Sequence, residues 1–190
     1  MDIARIHFSN RDILLLFLPI AGELLLHYTV GIVDSIMVAS VGEAAVSGVS
    51  LMDFVISFFN SLLTALAVGG TVVIGQYLGN ADRPRAADAA VQMVLLMALA
   101  GTLLALAAYA LQPFITGRLF GDLAPDVRRH ADVYFGILAA SLPFMGVYSA
   151  GAAVFRSIGN TVLPLRIMIL ANVLNVAGNA VLIYGFDMET

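Results

Sequence analysis

Three ionisable side chains interrupt one long apolar run. The stretch Ile13 to Val41, ILLLFLPIAGELLLHYTVGIVDSIMVASV, carries Glu23, His27 and Asp34, with Pro19 near its start. A span needs ~20 mostly apolar residues, and this run is long enough. A carboxylate well inside a spanning helix costs roughly 2.5–3.5 kcal/mol on insertion scales, so it faces protein or a water-filled cavity and marks an ion or substrate pathway. At ~100° per residue, Glu23 to His27 is ~400° and His27 to Asp34 is ~700°, which puts all three within ~40° on one helix face. Such a face can take up a proton or hold a cation. Asp34 is its most informative residue. The alternative for Glu23, His27 and Asp34 is satisfaction by neighbours in a helix bundle.

A second polar cluster lies near the other end of the chain, in ANVLNVAGNAVLIYG. Asn172, Asn175 and Asn179 are spaced three and four apart and share a helix face. Each amide has two donors and two acceptor lone pairs, and none is comfortable against lipid. This face can form a polar wall opposite Asp34 or pack against another helix; an amide can do both. Between the two clusters, Asp53, Ser57, Asn60 and Thr64 form a stripe at spacings of four, three and four. Ser and Thr ordinarily bond their own backbone or join helices. Asp53 falls near a span end, where solvation is an ordinary fate. Asn60 is a candidate for the same cavity as Asp34.

Enzyme chemistry finds little to work with. No Gly-x-Ser-x-Gly nucleophile motif is present. Glu23 and Asp34 lie ~16 Å apart along one helix at ~1.5 Å per residue, too far to share a proton as a protease dyad does. GGTVVIG lacks the GK[ST] ending of a phosphate loop. No Cys is present, so there is neither a disulfide framework nor a thiolate metal site.

The elements that must hold these residues are membrane helices. The chain is 61% hydrophobic and 12% charged, against ~25% charged in soluble domains. Its apolar runs are unbroken, unlike the alternating ~10-residue strands of a membrane barrel. The expected architecture is all-α and integral to the membrane, with about five spans: 12–41, 51–78, 87–111, 133–155 and 163–184. Loop signals lie between them, at Gly42 and Gly48, in GNADRPR, in the long Gln112 to Asp132 connection, and in RSIGNTVLP. The first run continues past the length of a signal-peptide core and reads as an uncleaved span. Gly69, Gly70, Gly75, Gly79 and the Ala-rich third span favour close helix approach.

All nine basic residues are Arg, and nothing forms a basic nucleic-acid face. With the N-terminus cytoplasmic, Arg5, Arg11, Arg83, Arg85, Arg156 and Arg166 are inside and Arg118, Arg128 and Arg129 outside. The positive-inside rule favours that orientation, a multi-pass protein of the cell (inner) membrane with its FDMET end outside.

VDSIMVASVG with Pro19 fifteen residues before Asp34, GGTVVIGQYLGNADRPRAA, FRSIGNTVLPL and NVLNVAGNAVLIYG occur in that order. Together they resemble the multidrug and toxic compound extrusion (MATE) family of antiporters, across essentially the whole chain. The resemblance implies most of the N-terminal six-helix lobe of a twelve-helix transporter, five helices of it, truncated before the sixth. It implies export of small cationic or aromatic drugs in exchange for H+ or Na+, with no other cofactor. Its partners would be the lipid bilayer and the rest of the transporter, and residues 1–190 alone are expected to be inactive. The family's first-span aspartate matches Asp34, and the proline of its helix bend matches Pro19. A fourth-helix tyrosine matches Tyr134 and a fifth-helix asparagine matches Asn175. A further family aspartate falls at Asn179, where this sequence has an amide. A candidate sodium site near Asp34, Asn175 and Asn179 would therefore carry one negative charge fewer. The rival readings are a lipid-linked sugar flippase of a related superfold and a non-transporting membrane component.

Overall fold

A computed structural model describes residues 9–185. Arg5 and the FDMET segment, both used in the orientation argument, lie outside the described residues. Five long helices account for the regular structure: α1 (Asn10–Ala39), α2 (Glu43–Gly79), α3 (Arg83–Phe114), α4 (Pro125–Ser157) and α5 (Val162–Ala180). Single π-helical turns extend α3 (Ile115–Leu119) and α5 (Val181–Gly185). All five are long and apolar enough to cross a membrane.

Local chemistry sets the helix ends. Ser9 caps α1 in a capping box: its hydroxyl accepts from the Arg11 N–H, and the Asp12 carboxylate accepts from the Ser9 N–H at 3.0 Å. Asp82 caps α3, and Pro84 and Pro125 sit in first turns, where a missing N–H costs nothing. Gly42 (φ +146°) ends the α1–α2 turn and Gly159 (φ +82°) lies within the α4–α5 turn, both in backbone regions that disfavour a Cβ. Pro19 lies inside α1, which continues through it.

α2, α3 and α4 are longer than the spans read from hydropathy. At ~1.5 Å per residue, the 37 residues of α2 rise ~55 Å, against a ~30 Å hydrocarbon core. The polar ends of the helices therefore stand clear of the apolar layer, and an apolar run marks only the middle. This corrects three readings. Glu43 to Ser50 is the first part of α2, because Gly48 is buried in a helix contact rather than placed in a turn. Gln112 to Asp132 contains only the short connection 120–124, because α3 runs on through Pro113 and α4 begins at Pro125. Arg156 belongs to the last turn of α4 rather than to a loop.

Two groups of helices result. In the first, α2, α3 and α4 pack closely along rows spaced three and four apart, including Met52, Ile56, Phe59 and Leu63 on α2 and Phe135, Ala139, Leu142 and Gly146 on α4. Small residues let the backbones meet. A Cβ on Gly101 would lie 2.6 Å from the Leu142 carbonyl oxygen, and one on Gly48 would lie 2.8 Å from that of Val127. The second group is the pair α1 and α5, which run parallel, with Leu165 beside Gly22 and Asn179 beside Asp34. Contact between the pair and the bundle is sparse. The outward faces carry large apolar side chains such as Leu25, Phe54 and Phe144, as lipid contact requires.

Candidate functional site

Asp34 sits in the C-terminal half of α1, half-buried against α5. Its Oδ1 accepts a 3.0 Å hydrogen bond from Asn179 Nδ2. The same amide nitrogen lies 3.5 Å from the Oδ1 of Asn175, one turn earlier on α5. The i, i+4 spacing of the two asparagines makes this possible, since residues four apart are neighbours on a helix surface. Nearby hydroxyls do not compete: Thr29 and Ser35 donate to their own helix at the Leu25 and Gly31 carbonyls. A cation held at Asp34 would have Asn179 turn its amide oxygen inward, because hard cations take oxygen ligands.

Asn172 lies two turns earlier on α5. Its Nδ2 is buried without a hydrogen-bond partner among the described residues. It borders a crevice of about 480 Å³ between α1 and α5, lined otherwise by apolar side chains including Leu26, Val173 and Val176.

Across from Asp34, the bundle presents a second polar pair. Tyr134 on α4 donates its hydroxyl to Asp53 Oδ1 on α2 at 2.7 Å. Both groups lie within electrostatic reach of Asp34. Helix levels agree: Asp34 is seven residues before Val41 and Asp53 eleven after Gly42, so the two stand ~11 and ~17 Å from one connecting turn. Tyr134 thus faces the region of Asp34 while bonding to Asp53. Asn60, two turns further along α2, is half-buried.

The remaining expected residues go elsewhere. Glu23 is buried and ion-paired with Arg156 of α4, Oε2 to Nη1 at 2.8 Å. His27 is exposed, its ring against that of Tyr28. The ideal-helix angle does place Glu23, His27 and Asp34 near one another in rotation. The partner changes along α1, however: the end of α4 meets it at Glu23, and α5 meets it at Asp34. Pro19 is buried within α1. Sequence reading did not supply the Arg156 contact or the Tyr134–Asp53 bond, Asp53 being expected there as a solvated charge near a span end. The signal for Arg156 was a long, flexible cation at the end of an apolar run, where such side chains reach back along the helix.

Residues 19–181 match the family described as MatE. The chain is 25% identical over 178 residues to a probable multidrug resistance protein NorM of Thermotoga maritima, covering 93% of this chain and 38% of that protein. It is 25% identical over 169 residues to the uncharacterized transporter YisQ of Bacillus subtilis, covering 88% and 36%. Its fold superposes with a TM-score of 0.86, at 21% identity, on a MOP superfamily transporter from Pyrococcus furiosus, covering 94% of this chain and 39% of that one. The report of that structure says that reverse polarity of its binding pocket suggests a different function. The chain spans little more than a third of the length of these relatives. On the match across residues 19–181, the chain belongs to the MatE family, whose members are membrane transporters and not enzymes.

Proposed function

We propose that this chain forms the N-terminal lobe of an ion-coupled multidrug exporter, with Asp34 as the coupling carboxylate. The observation that carries this reading is the hydrogen bond from Asn179 to a half-buried Asp34 between two membrane helices. A carboxylate in such a place changes its interactions when it gains a proton. Ionised, it attracts a cationic substrate and accepts from Asn179; neutral, it loses its hold on the cation. Binding of proton and drug is then mutually exclusive, which is the requirement for antiport.

The proton is the favoured coupling ion. Asn179 contributes an amide, so Asp34 and Asn175 with it supply one formal negative charge. The charges facing the site, Asp34 and Asp53, favour cationic substrates. A flippase for anionic lipid-linked sugars would need the opposite polarity. Alternating access in such folds requires two halves rocking against each other. We therefore place this lobe with further helices of the same transporter, in the cell membrane, with the N-terminus cytoplasmic as the arginine distribution favours.

The test is efflux of a fluorescent cationic dye from cells producing the complete transporter. Asp34→Asn is expected to abolish efflux at unchanged membrane abundance. Wild-type efflux by that variant would refute the assignment.

A further inference from the structure

Glu23 and Arg156 occupy the junction of three elements. Glu23 lies in the inner half of α1, Arg156 in the last turn of α4, and the four-residue turn 158–161 leads straight into α5. Leu165 of α5 packs beside Gly22, the residue before Glu23. The ion pair thus ties the α1–α5 pair to the α2–α3–α4 bundle, between which contact is otherwise sparse. The two groups are also joined covalently by short turns at opposite ends: α1 to α2 outside, α4 to α5 inside. Such a construction can rock, and a tie at one end selects one of its positions.

The tie is asymmetric. Glu23 is 9% exposed, and its Oε2 is bonded to Arg156, while its Oε1 is buried with no hydrogen-bond partner among the described residues. The Arg156 side chain is 31% exposed and reaches solvent. When the contact opens, the guanidinium can be hydrated, whereas Glu23 stays among helices. The bare Oε1 is the atom at which a proton can add without displacing anything. Charged and titratable neighbours are few. From α4 they are Arg156 and Tyr148, whose hydroxyl is within electrostatic reach of both partners. α5 brings the apolar Leu165 to this level, and His27 on α1 itself is exposed a turn away.

We propose that Glu23 and Arg156 form a proton-released latch. With Glu23 ionised, the latch holds α1 against the end of α4. Proton uptake at Oε1 removes the charge that Arg156 binds and frees the α1–α5 pair to move against the bundle. Glu23 is in this view a positioning residue for α1, ~16 Å along the helix from Asp34. The contact is present above the titration of Glu23 and lost as pH falls through it.

The chain has no cysteine, so introduced labels report alone. Spin labels at Leu15→Cys and Ile158→Cys, both exposed positions, measure the distance between the inner ends of α1 and α4 in lipid nanodiscs. At neutral pH the otherwise unaltered chain should give one narrow distribution, shifting to a broader one on acidification. Glu23→Gln and Arg156→Gln should give the broad distribution at every pH. The exchange Glu23→Arg with Arg156→Glu should restore the narrow one. Arg156→Lys, which keeps the charge, should retain the acid-dependent shift and serves if the exchange variant fails to fold. The proposal is overturned if Glu23→Gln keeps the narrow distribution, if it still responds to acid, or if Arg156→Lys behaves as Arg156→Gln.

Discussion

Gly48→Ala tests how the bundle positions the polar pair that faces Asp34. A Cβ at Gly48 would lie 2.8 Å from the Val127 carbonyl oxygen, 2.9 Å from the Ala131 amide nitrogen and 3.1 Å from His130 Cβ. The first two are backbone atoms and cannot swing aside. Restoring ordinary contact needs α2 and α4 to separate by about 0.6 Å at this level, since helix backbones are close-packed and do not compress. Asp53 lies five residues along α2 and Tyr134 three residues beyond Ala131 on the parallel α4. The same separation would stretch their 2.7 Å hydrogen bond to roughly 3.3 Å, beyond the usual O–H···O range. Overpacking costs ~1–3 kcal/mol, and Gly→Ala returns up to ~1 kcal/mol of helix propensity. The stretched bond adds less than ~1 kcal/mol, because Asp53 is exposed to replacement partners. We expect a net loss of about 1–2 kcal/mol. Gly69→Ala, which meets nothing within 4 Å, should instead gain up to ~1 kcal/mol. Reversible unfolding in mixed micelles, followed by helical circular dichroism, gives both values. Tyr134→Phe should add almost nothing on the Gly48→Ala background if the bond is already broken there. Full additivity, or Gly48→Ala as stable as Gly69→Ala, would refute the reasoning.

Two further outcomes are expected. Asn179→Asp adds a second carboxylate beside Asp34 and should make substrate transport respond to a sodium gradient at constant pH, since hard cations favour charged oxygen ligands; a sodium response already present in the unaltered transporter and not increased by the substitution would count against this. Asn172→Leu removes a buried, unpaired amide nitrogen from an apolar crevice and should raise stability by about 1 kcal/mol, measured by the same unfolding assay. A loss of similar size would show that the amide has a stabilising role.

The α1–α5 part of the site was legible because two short-range rules intersect there. A spacing of three and four placed Asn172, Asn175 and Asn179 on one face, and a carboxylate inside a span needs a polar partner. The structure pairs Asp34 with Asn179 accordingly. The Glu23–Arg156 and Asp53–Tyr134 contacts were not legible, although their partners are no further apart in sequence than Asp34 and Asn179, because Arg156 and Tyr134 fall at the ends of the fourth apolar run, where polar groups are ordinary and announce no partner. Periodicity gives the rotation of a side chain about its own helix and nothing about which helix stands opposite. That is why His27, in rotational register with Asp34, is nonetheless exposed. Glycine shows the same limit. Of Gly69, Gly70, Gly75 and Gly79, Gly70 alone would bring a Cβ onto a neighbouring helix, against the Met93 side chain. The closest backbone approaches are at Gly48, Gly101 and Gly146, none of which stands in a glycine-rich stretch. A glycine's use depends on the helix that crosses it. The lengths of α2, α3 and α4 were underestimated because hydropathy reports the lipid layer and not the hydrogen-bonded helix, which continues through Glu43, Arg83 and Pro125 into polar surroundings.

The central claim is that Asp34 exchanges a proton for a cationic substrate. It is tested most directly by proton release from the complete transporter in weakly buffered detergent solution when a cationic dye is added. The unaltered protein should release protons in proportion to dye bound, at a pH where Asp34 is partly protonated. Asp34→Asn should release none while keeping its helical circular dichroism. Equal release by Asp34→Asn would contradict the account and move the coupling group to another residue.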